Sequence, residues 1–348
     1  MAETTTTTDT WTAERITQAD RDHVIHSWST QGQVHARPVA GGEGCWFWDY
    51  EGNRFLDFQS QLVNLNLGYQ HPRVVAAIQE QAAQLCYIGP NFAERSRSQL
   101  AEMLADVTPG DLSMTFFTTG GAAANENAVR LARHVTGREK VIARYRSYHG
   151  ATAGALALTG DPRHVAVGAS NPGIVRMLDP YTYRCPAGHP DPCPVCTGGP
   201  HLREILQYEN PETVAAVIVE TVVGTNGAIY PPDGYLAALR EVCDEHGILL
   251  IFDEVMVGFG RTGEWFACDH WSVVPDILTT AKGINSGYVP LGAMTVSAAI
   301  GEWLREHKFW GGQTYSGHPL ACASGVASLE AMREEDVVGN AAARGKRL

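Results

Sequence analysis

Several features are scarce in this chain of 348 residues, and each absence excludes a class of protein. No apolar run approaches the roughly 20 residues that a membrane-spanning helix needs, and residues 1–10 lack the basic and apolar regions of a signal peptide. Basic residues number only 26 against 38 acidic ones, and the net charge of −12 disfavours nucleic acids and anionic membranes as partners. We therefore expect a cytoplasmic protein whose cysteines are reduced.

The chain also has no internal repeat and no clear linker. Helical patterns alternate with short apolar runs from about residue 72 to residue 300, as in Pro72–Ala83, where a proline starts a helical pattern. Such alternation predicts an α/β sheet covered by helices. Between residues 45 and 58, aromatic runs flank a turn sequence, which predicts a β-hairpin.

Two charged residues each follow a strand-like run. Asp253 ends the apolar run Gly247–Phe252, which is typical of a strand buried on both faces of a parallel sheet. Lys282 follows a second run, Val274–Thr280, so both residues are expected beyond the carboxyl ends of parallel strands, where such sheets bind ligands. Alone, Asp253 is equally compatible with a helix cap or a Mg²⁺ ligand, and Lys282 with a solvated lysine. Together they offer the amine and the carboxylate that pyridoxal phosphate needs.

A third stretch is typical of an anion site. The strand-like run from Met114 leads into Gly120 and Gly121, and a helix pattern with apolar positions 124, 128, 131 and 132 follows. Amide groups at a helix N-terminus bind anions, and glycines allow a phosphate to come close. The stretch lacks both the lysine of a Walker A loop and the third glycine of a dinucleotide motif, so a nucleotide phosphate is the weaker interpretation.

Two further residues complete the candidate site. Tyr148, in the run Tyr145–Gly150, offers a ring that can stack on a flat cofactor. The alternative interpretation is a tyrosine that packs in the core or in an interface. Thr314 offers a hydroxyl in the glycine-rich run Gly311–Pro319, where a plain turn is the alternative.

These motifs resemble those of the class III (ω-amino) aminotransferases of PLP fold type I. The resemblance covers about residues 20–345 and is most specific in Asp253-Glu-Val, in Gly258–Glu264 and in Lys282-Gly. It implies an α/β fold with a large domain, whose mixed, mostly parallel sheet is layered by helices, plus a small domain. The implied division is residues 1–65 for an N-terminal arm and part of the small domain, 66–320 for the PLP-binding domain, and 321–348 for the start of a C-terminal small domain, which we expect to be truncated here.

The resemblance also implies a role for each candidate residue. Lys282 would form the internal aldimine and move the proton, and Asp253 would pair with the pyridine nitrogen. The implied cofactor-binding positions are Gly120, Gly121 and Ala122 at the phosphate, Val255 beneath and Tyr148 above the ring, Glu220 near its phenolic side, and Thr314 at the phosphate of the neighbouring subunit. The implied assembly is a homodimer, or a higher homo-oligomer, with a shared active site.

The same resemblance bears on the substrate. The runs Phe58–Tyr69 and His26–Gln31 are most similar to those of taurine and other ω-amino acid transaminases. Val63 stands where many amine transaminases have a tryptophan, which favours a small polar donor. We expect ping-pong transfer of an amino group from a taurine-like or β-alanine-like donor to pyruvate or 2-oxoglutarate. In the phosphate loop, Ala122 and Ala123 replace a hydroxyl and an acidic side chain, so backbone amides must carry more of the binding.

Two alternatives remain open. The first is a PLP-dependent racemase, aminomutase or decarboxylase, which would share Lys282 and Asp253. The second is a non-catalytic zinc-loop or assembly subunit, because Cys185, Cys193 and Cys196 with His189 or His201 give the ligand count of tetrahedral zinc. Their spacing matches no standard zinc finger, and a surface insertion with reduced cysteines is the preferred interpretation, so no metal is predicted.

Aromatic residues are concentrated near the N-terminus. Such a group is large for a small arm to bury by itself, so we expect some of them to lie in the subunit interface, with a small local core as the alternative. The residues are Trp28, Trp46, Phe47, Trp48 and Tyr50.

Overall fold

The computed structural model describes residues 11–166, 168, 172–185, 187–188 and 193–348. The chain divides into two compact units, one formed by Met1–Gln61 with Gly68–His71 and the other by Leu62–Leu67 with Pro72–Leu348. The predicted division at residues 65 and 320 stays a prediction. In the part of the chain described here, no helix is both long enough and apolar enough to cross a membrane.

From residue 11 onward, the first unit contains one α-helix, a short 3₁₀ helix and a small antiparallel sheet. The α-helix is α1 (Ala13–His23), and the sheet has the order β1 (Val39–Glu43), β2 (Trp46–Asp49), β3 (Arg54–Leu56). Strands β2 and β3 pair antiparallel, which confirms the predicted hairpin. Of the five N-terminal aromatics, Phe47 and Trp48 are partly buried and Phe47 stacks on Phe55, whereas the other three are exposed. Phe47 and Phe55 thus pack on each other across the hairpin, and the role of the aromatics in a subunit interface stays a prediction.

The remaining elements alternate helix and strand along most of the chain. In chain order they are α2 (Ser60–Val63), α3 (Pro72–Gln84), α4 (Arg95–Val107), β4 (Met114–Thr118), α5 (Gly121–Thr136), β5 (Lys140–Arg144), α6 (Ala153–Leu158), α7 (Pro162–Ala166), β6 (Ile174–Met177), α8 (Pro194–Thr197), α9 (Gly199–Glu209), β7 (Val214–Glu220), α10 (Tyr235–His246), β8 (Leu249–Asp253), β9 (Ile277–Thr280), β10 (Gly292–Val296), α11 (Ala298–Glu306), α12 (Pro319–Glu334) and α13 (Val337–Gly345).

Seven of these strands form one sheet in the order β4-β10-β9-β8-β7-β5-β6. Strand β10 pairs antiparallel with both neighbours, and the other pairs are parallel, which confirms the predicted mixed, mostly parallel sheet. Both faces are covered: in β7, Val217 and Val219 join one buried cluster while Ala216 and Ile218 join the other. Burial of both faces explains why this strand is an unbroken apolar run.

The register of the sheet brings its polar strand ends together. Glu220 lies opposite Asp253, and Asp253 lies opposite Thr279, so these three residues form a row at the carboxyl ends of β7, β8 and β9. Lys282 comes two residues after β9 and begins the short 3₁₀ turn Lys282–Ile284. Gly120, two residues after β4, reaches the same edge, because β4 and β9 both run antiparallel to β10.

Candidate active site

Lys282 is a partly buried amine held on strained backbone. Its φ of 45° lies in the left-handed region, which costs a non-glycine residue about 1 kcal/mol or more. Burial lowers the pKa of its amine below the ordinary lysine value, while the negative charges of Asp253 and Glu220 act in the opposite direction. A lysine with a lowered pKa has more of the neutral form that acts as a nucleophile or base.

Asp253 is buried and accepts three hydrogen bonds. Its Oδ2 lies 2.7 Å from His149 Nδ1 and accepts a 2.7 Å bond from Asn125 Nδ2, and its Oδ1 accepts a 3.0 Å bond from the Val255 amide. Asn125 is fixed in turn, since its Oδ1 accepts a 2.6 Å bond from Thr279 Oγ1. These donors come from three different segments, and they fix the orientation of a carboxylate in an apolar environment.

Helix α5 presents its N-terminus at the same edge. No side chain caps it, and its first turn holds no acidic residue, so its first amide groups are available to an anion. A Cβ atom added at Gly120 would meet no atom within 4 Å, so the space beside it is open. A Cβ at Gly121 would lie 2.7 Å from Val255 Cγ1, which shows that the loop packs directly on the segment after Asp253.

The loop that carries Tyr148 closes a third side of the site. Glu220 Oε1 accepts a 3.0 Å hydrogen bond from the Tyr148 amide, and Oε2 accepts a 2.8 Å bond from the Gly224 amide. Burial raises the pKa of Glu220. The Arg163 guanidinium lies 4.0 Å from the centre of the Tyr148 ring and covers one of its faces. The loop also packs on the start of α5, because a Cβ added at Gly150 would clash with that of Ala122.

Glu254, the residue after Asp253, is held by hydrogen bonds inside the protein. It is fully buried and accepts hydrogen bonds from Thr221 Oγ1 at 2.7 Å and from the amides of Ala267 and Cys268 at 2.9 Å. Burial raises its pKa to about 7. Its three donors tie the end of β8 to the following 3₁₀ turn and so fix the backbone that positions Asp253.

Thr314 does not join this hydrogen-bonded group within the described chain. The residue is exposed, and its carbonyl accepts a 2.7 Å bond from Tyr87 Oη. Its loop nevertheless passes the end of β4, because Ser316 Oγ donates a 2.8 Å bond to the Phe117 carbonyl. The other predicted positions, from Gly120 to Lys282, are brought together at one edge of the sheet.

Sequence reasoning missed His149, Asn125 and Thr279 as partners of the site. One signal was present for Asn125, since it lies on the apolar face of α5 at helical spacing from Ala128 and Ala132. A polar side chain on a buried helix face needs a partner, and here that partner is Asp253. His149 and Thr279 gave no comparable signal.

The site therefore offers a lysine amine, a hydrogen-bonded carboxylate and an uncapped helix N-terminus at one edge of an α/β sheet. Pyridoxal phosphate requires a lysine, an anionic partner for its ring nitrogen and an anion site for its phosphate. The residues present fit this group. Fold and site together define a pyridoxal phosphate enzyme of fold type I.

Comparison with known proteins identifies the family. The family model for aminotransferase class-III matches residues 28–348. The omega-aminotransferase of Caulobacter vibrioides is 36% identical over 330 residues, covering 88% of this chain and 73% of that protein. The solved taurine:2-oxoglutarate aminotransferase of Bifidobacterium kashiwanohense, in complex with PLP and glutamate, is 45% identical with a TM-score of 0.89, covering 94% of this chain and 74% of that one.

A second solved structure, also of a transaminase, is similar to this chain. The (S)-enantioselective omega-transaminase of Thermomicrobium roseum is 38% identical with a TM-score of 0.91, covering 97% of this chain and 78% of that one. This chain belongs to the class-III aminotransferases. It is a pyridoxal phosphate-dependent enzyme that transfers amino groups from ω-amino donors to keto acids.

The packing of Gly121 against Val255 leads to a stability prediction. In Gly121→Ala the new methyl meets both Cγ atoms of a β-branched side chain within 2.8 Å, so the free energy of unfolding should fall by about 1–3 kcal/mol. Gly120→Ala is the matched control: its φ of 163° is extended backbone and its surroundings are open, so its change should stay within about 0.5 kcal/mol. Urea unfolding of the cofactor-free proteins measures both. Equal stability of the two variants would contradict the contact.

Proposed function

We propose that the preferred donor of this aminotransferase is a small ω-amino acid of the taurine or β-alanine type, and that the acceptor is pyruvate or 2-oxoglutarate. The placement of Lys282 and Asp253 at adjoining strand ends, with the uncapped N-terminus of α5 beside them, supports the amino transfer, and the observation that carries the donor class is the 45% identity to the taurine:2-oxoglutarate aminotransferase of Bifidobacterium kashiwanohense. The roles that follow for individual residues are part of the same proposal.

Lys282 is the catalytic amine. Pyridoxal phosphate, when bound, withdraws electrons from the amine-bearing carbon of the donor. Lys282 Nζ would hold the cofactor through its aldehyde carbon, and the free amine would accept the proton from the donor carbon. The lowered pKa supports this role, because a proton acceptor must be neutral at the working pH.

Asp253 is the partner of the cofactor's ring nitrogen. A buried carboxylate needs a positive partner, and the protonated pyridine nitrogen is one. Asn125 and His149 both contact Oδ2 and the Val255 amide contacts Oδ1, so the carboxylate cannot rotate without losing bonds. The ionised Asp253 keeps the ring nitrogen protonated.

The remaining residues hold the cofactor's phosphate and ring. Backbone amides of Gly120, Gly121 and Ala122 bind the phosphate at the N-terminus of α5. Val255 would pack beneath the ring, and Tyr148, whose ring Arg163 contacts at 4.0 Å, would stack above it. Glu220, anchored by the Tyr148 and Gly224 amides, lies towards the phenolic side.

The segment 62–67 supports the choice of a small donor. It packs against the turn that follows Lys282, because Cβ atoms added at Gly283 and Gly287 would lie 2.6 and 2.7 Å from the side-chain nitrogens of Asn66 and Asn64. Val63 is therefore held next to the turn that carries the catalytic lysine. The similarity to the taurine:2-oxoglutarate aminotransferase of Bifidobacterium kashiwanohense favours the same donor class.

A substrate screen tests the proposal. The cofactor-loaded enzyme is assayed with taurine, β-alanine, 4-aminobutyrate and 1-phenylethylamine, each against pyruvate and 2-oxoglutarate, with product analysis for the new amino acid. We expect kcat/KM for taurine or β-alanine to exceed that for 1-phenylethylamine by at least about tenfold, a difference of about 1.4 kcal/mol. A preference for the aryl amine overturns the proposed donor class. Racemised or decarboxylated product without amino transfer contradicts transamination itself.

We propose further that the active site is completed in a homodimer. Thr314 is exposed, and aromatic side chains near it in the structure are also exposed, among them Tyr87, whose ring lies 5.9 Å from that of Tyr315. Exposed aromatic clusters mark interaction surfaces. The Thr314 hydroxyl would then donate a hydrogen bond to the phosphate bound in the neighbouring subunit.

Light scattering and cofactor titration test this assembly. We expect the loaded enzyme to have about twice the chain mass of 37.7 kDa. Thr314→Ala should keep that mass and weaken cofactor binding by about tenfold, because it loses one hydrogen bond to a charged group. Thr314→Ser retains a hydroxyl and serves as the matched control. A cofactor-loaded, active monomer would refute the shared site.

A further inference from the structure

Three of the eight cysteines converge outside the active site. Cys185, Cys193 and Cys196 lie in the connection between β6 and α9, and their Sγ atoms are all within 4.8 Å of one another. Among the residues that the structure describes, this is the one group of three or more histidine, cysteine or carboxylate side chains with metal-ligand geometry. The other five cysteines are separate from this group.

The distances fit a shared metal ion better than a covalent bond. The closest pair, Cys185 and Cys193, has an Sγ–Sγ distance of 3.0 Å, whereas a disulfide requires about 2.0 Å. Thiolates bound to one zinc ion at about 2.3 Å in tetrahedral geometry lie about 3.8 Å apart, which is longer than the closest pair and shorter than the 4.8 Å within which all three Sγ atoms lie.

The three cysteines lie on two separate turns of the backbone. Cys193 is the N-cap of α8 and Cys196 lies within it; the Thr197 amide bonds to the Cys193 carbonyl at 2.9 Å. The helix ends at Gly198, whose φ of 80° suits glycine. On the other side, the Gly188 amide bonds to the Cys185 carbonyl at 3.0 Å. Two cysteines separated by two residues on a tight turn, together with a third cysteine close by, are typical of structural zinc sites.

The residues that pack around the three thiols form a small buried cluster. Cys193 and Cys196 are buried and pack with Val195 and Leu178, which are apolar. His201, one of the two histidines considered as a ligand, is not in the group, because its Nε2 accepts a 3.1 Å hydrogen bond from the Leu178 amide. His189 lies outside the described residues. In this apolar setting, three thiolates would be stable only with a cation bound between them.

We propose that Cys185, Cys193 and Cys196 bind one structural Zn²⁺ ion through three thiolates. The ion fixes the connection between β6 and α9 at the carboxyl end of the edge strand of the large sheet. This site is independent of the transaminase chemistry, since none of its residues belongs to the active site. It also reverses our interpretation of these cysteines as a reduced surface insertion.

Metal analysis of the holoenzyme is the first test. The protein is produced in medium containing zinc, freed of loosely bound metal with a weak chelator, and analysed by inductively coupled plasma mass spectrometry. We expect about one zinc per chain in the wild type and a loss of at least about tenfold in Cys193→Ser and Cys196→Ser. The matched controls Cys45→Ser and Cys86→Ser replace exposed cysteines outside the group and should keep the ion.

A second measurement needs no variant and so does not depend on folding. Titration of the wild type with an organomercurial should release zinc as three thiols are modified, and the cobalt-substituted protein should show the visible bands of tetrahedral thiolate coordination, away from the cofactor's absorbance. Zinc absent from the folded, cofactor-loaded wild type, or retained in both serine variants, overturns the proposal. A denatured, unreduced protein with six free thiols, eight minus the two of a disulfide, also overturns it.

Discussion

Replacement of Lys282 by alanine is expected to abolish turnover, lowering kcat by at least about 10⁴-fold, because the covalent attachment point and the proton acceptor are lost together. The fold should survive, since the change removes a partly buried amine whose desolvation is unfavourable. Cofactor binding should weaken but persist through the N-terminus of α5. Steady-state kinetics and the absorbance spectrum of the cofactor-loaded variant measure both effects.

Lys346→Ala is the control for this variant, because Lys346 is exposed and distant in sequence from every site residue. Borohydride reduction of the wild type followed by peptide mapping gives an independent result: the cofactor mass should be found on the peptide that contains Lys282. A folded Lys282→Ala protein that keeps more than a small fraction of wild-type activity, or a cofactor label on another lysine, would overturn the assignment.

Substitution of Asp253 by asparagine should slow the half-reaction with the donor amine by about two orders of magnitude or more, because a neutral amide cannot keep the ring nitrogen protonated. The side chains have the same shape, and the asparagine oxygen can still accept from Asn125 and His149. Its amide nitrogen would then face the Val255 amide, so the variant also loses one hydrogen bond, worth about 1 kcal/mol of stability. Stopped-flow absorbance of the cofactor on mixing with donor gives the rate.

Asp276→Asn is the matched control. Asp276 precedes β9 at the opposite edge of the sheet, where it accepts 2.7 Å hydrogen bonds from Arg240 and from the Leu250 amide. Its substitution should reduce stability and leave the half-reaction unchanged. If Asp253→Asn reacts at the wild-type rate while it retains the cofactor, the ring nitrogen has a different partner.

The placement of Asp253 and Lys282 was predictable because each follows a run of strand length. The run before Asp253 is apolar at every position, which indicates a strand covered on both faces, and the residues of β9 before Lys282 are likewise buried. Once the sheet is parallel, the ends of neighbouring strands must lie at one edge. The glycines before α5 were predictable for a similar reason, since a strand, two glycines and a helix are adjacent in sequence.

The partners of Asp253 were not predictable in the same way. His149 follows β5 and Asn125 lies in α5, and their contacts with Asp253 span 104 and 128 residues of sequence. The register of the sheet and the packing of α5 decide which side chains meet there. The lowered pKa of Lys282 likewise depends on burial and on the charges of Asp253 and Glu220, which no local pattern contains.

The same division holds for the cysteines. Their number and spacing were visible in the sequence, but the convergence of three Sγ atoms depends on how the chain after β6 returns to α9. The sequence by itself determined the strands, the helices and the residues at their ends, because these follow from hydrophobic periodicity and turn chemistry over a few residues. Only the tertiary structure decided which of those ends touch, which groups are buried and how their acidity shifts, because distance and desolvation arise from packing between segments remote in sequence.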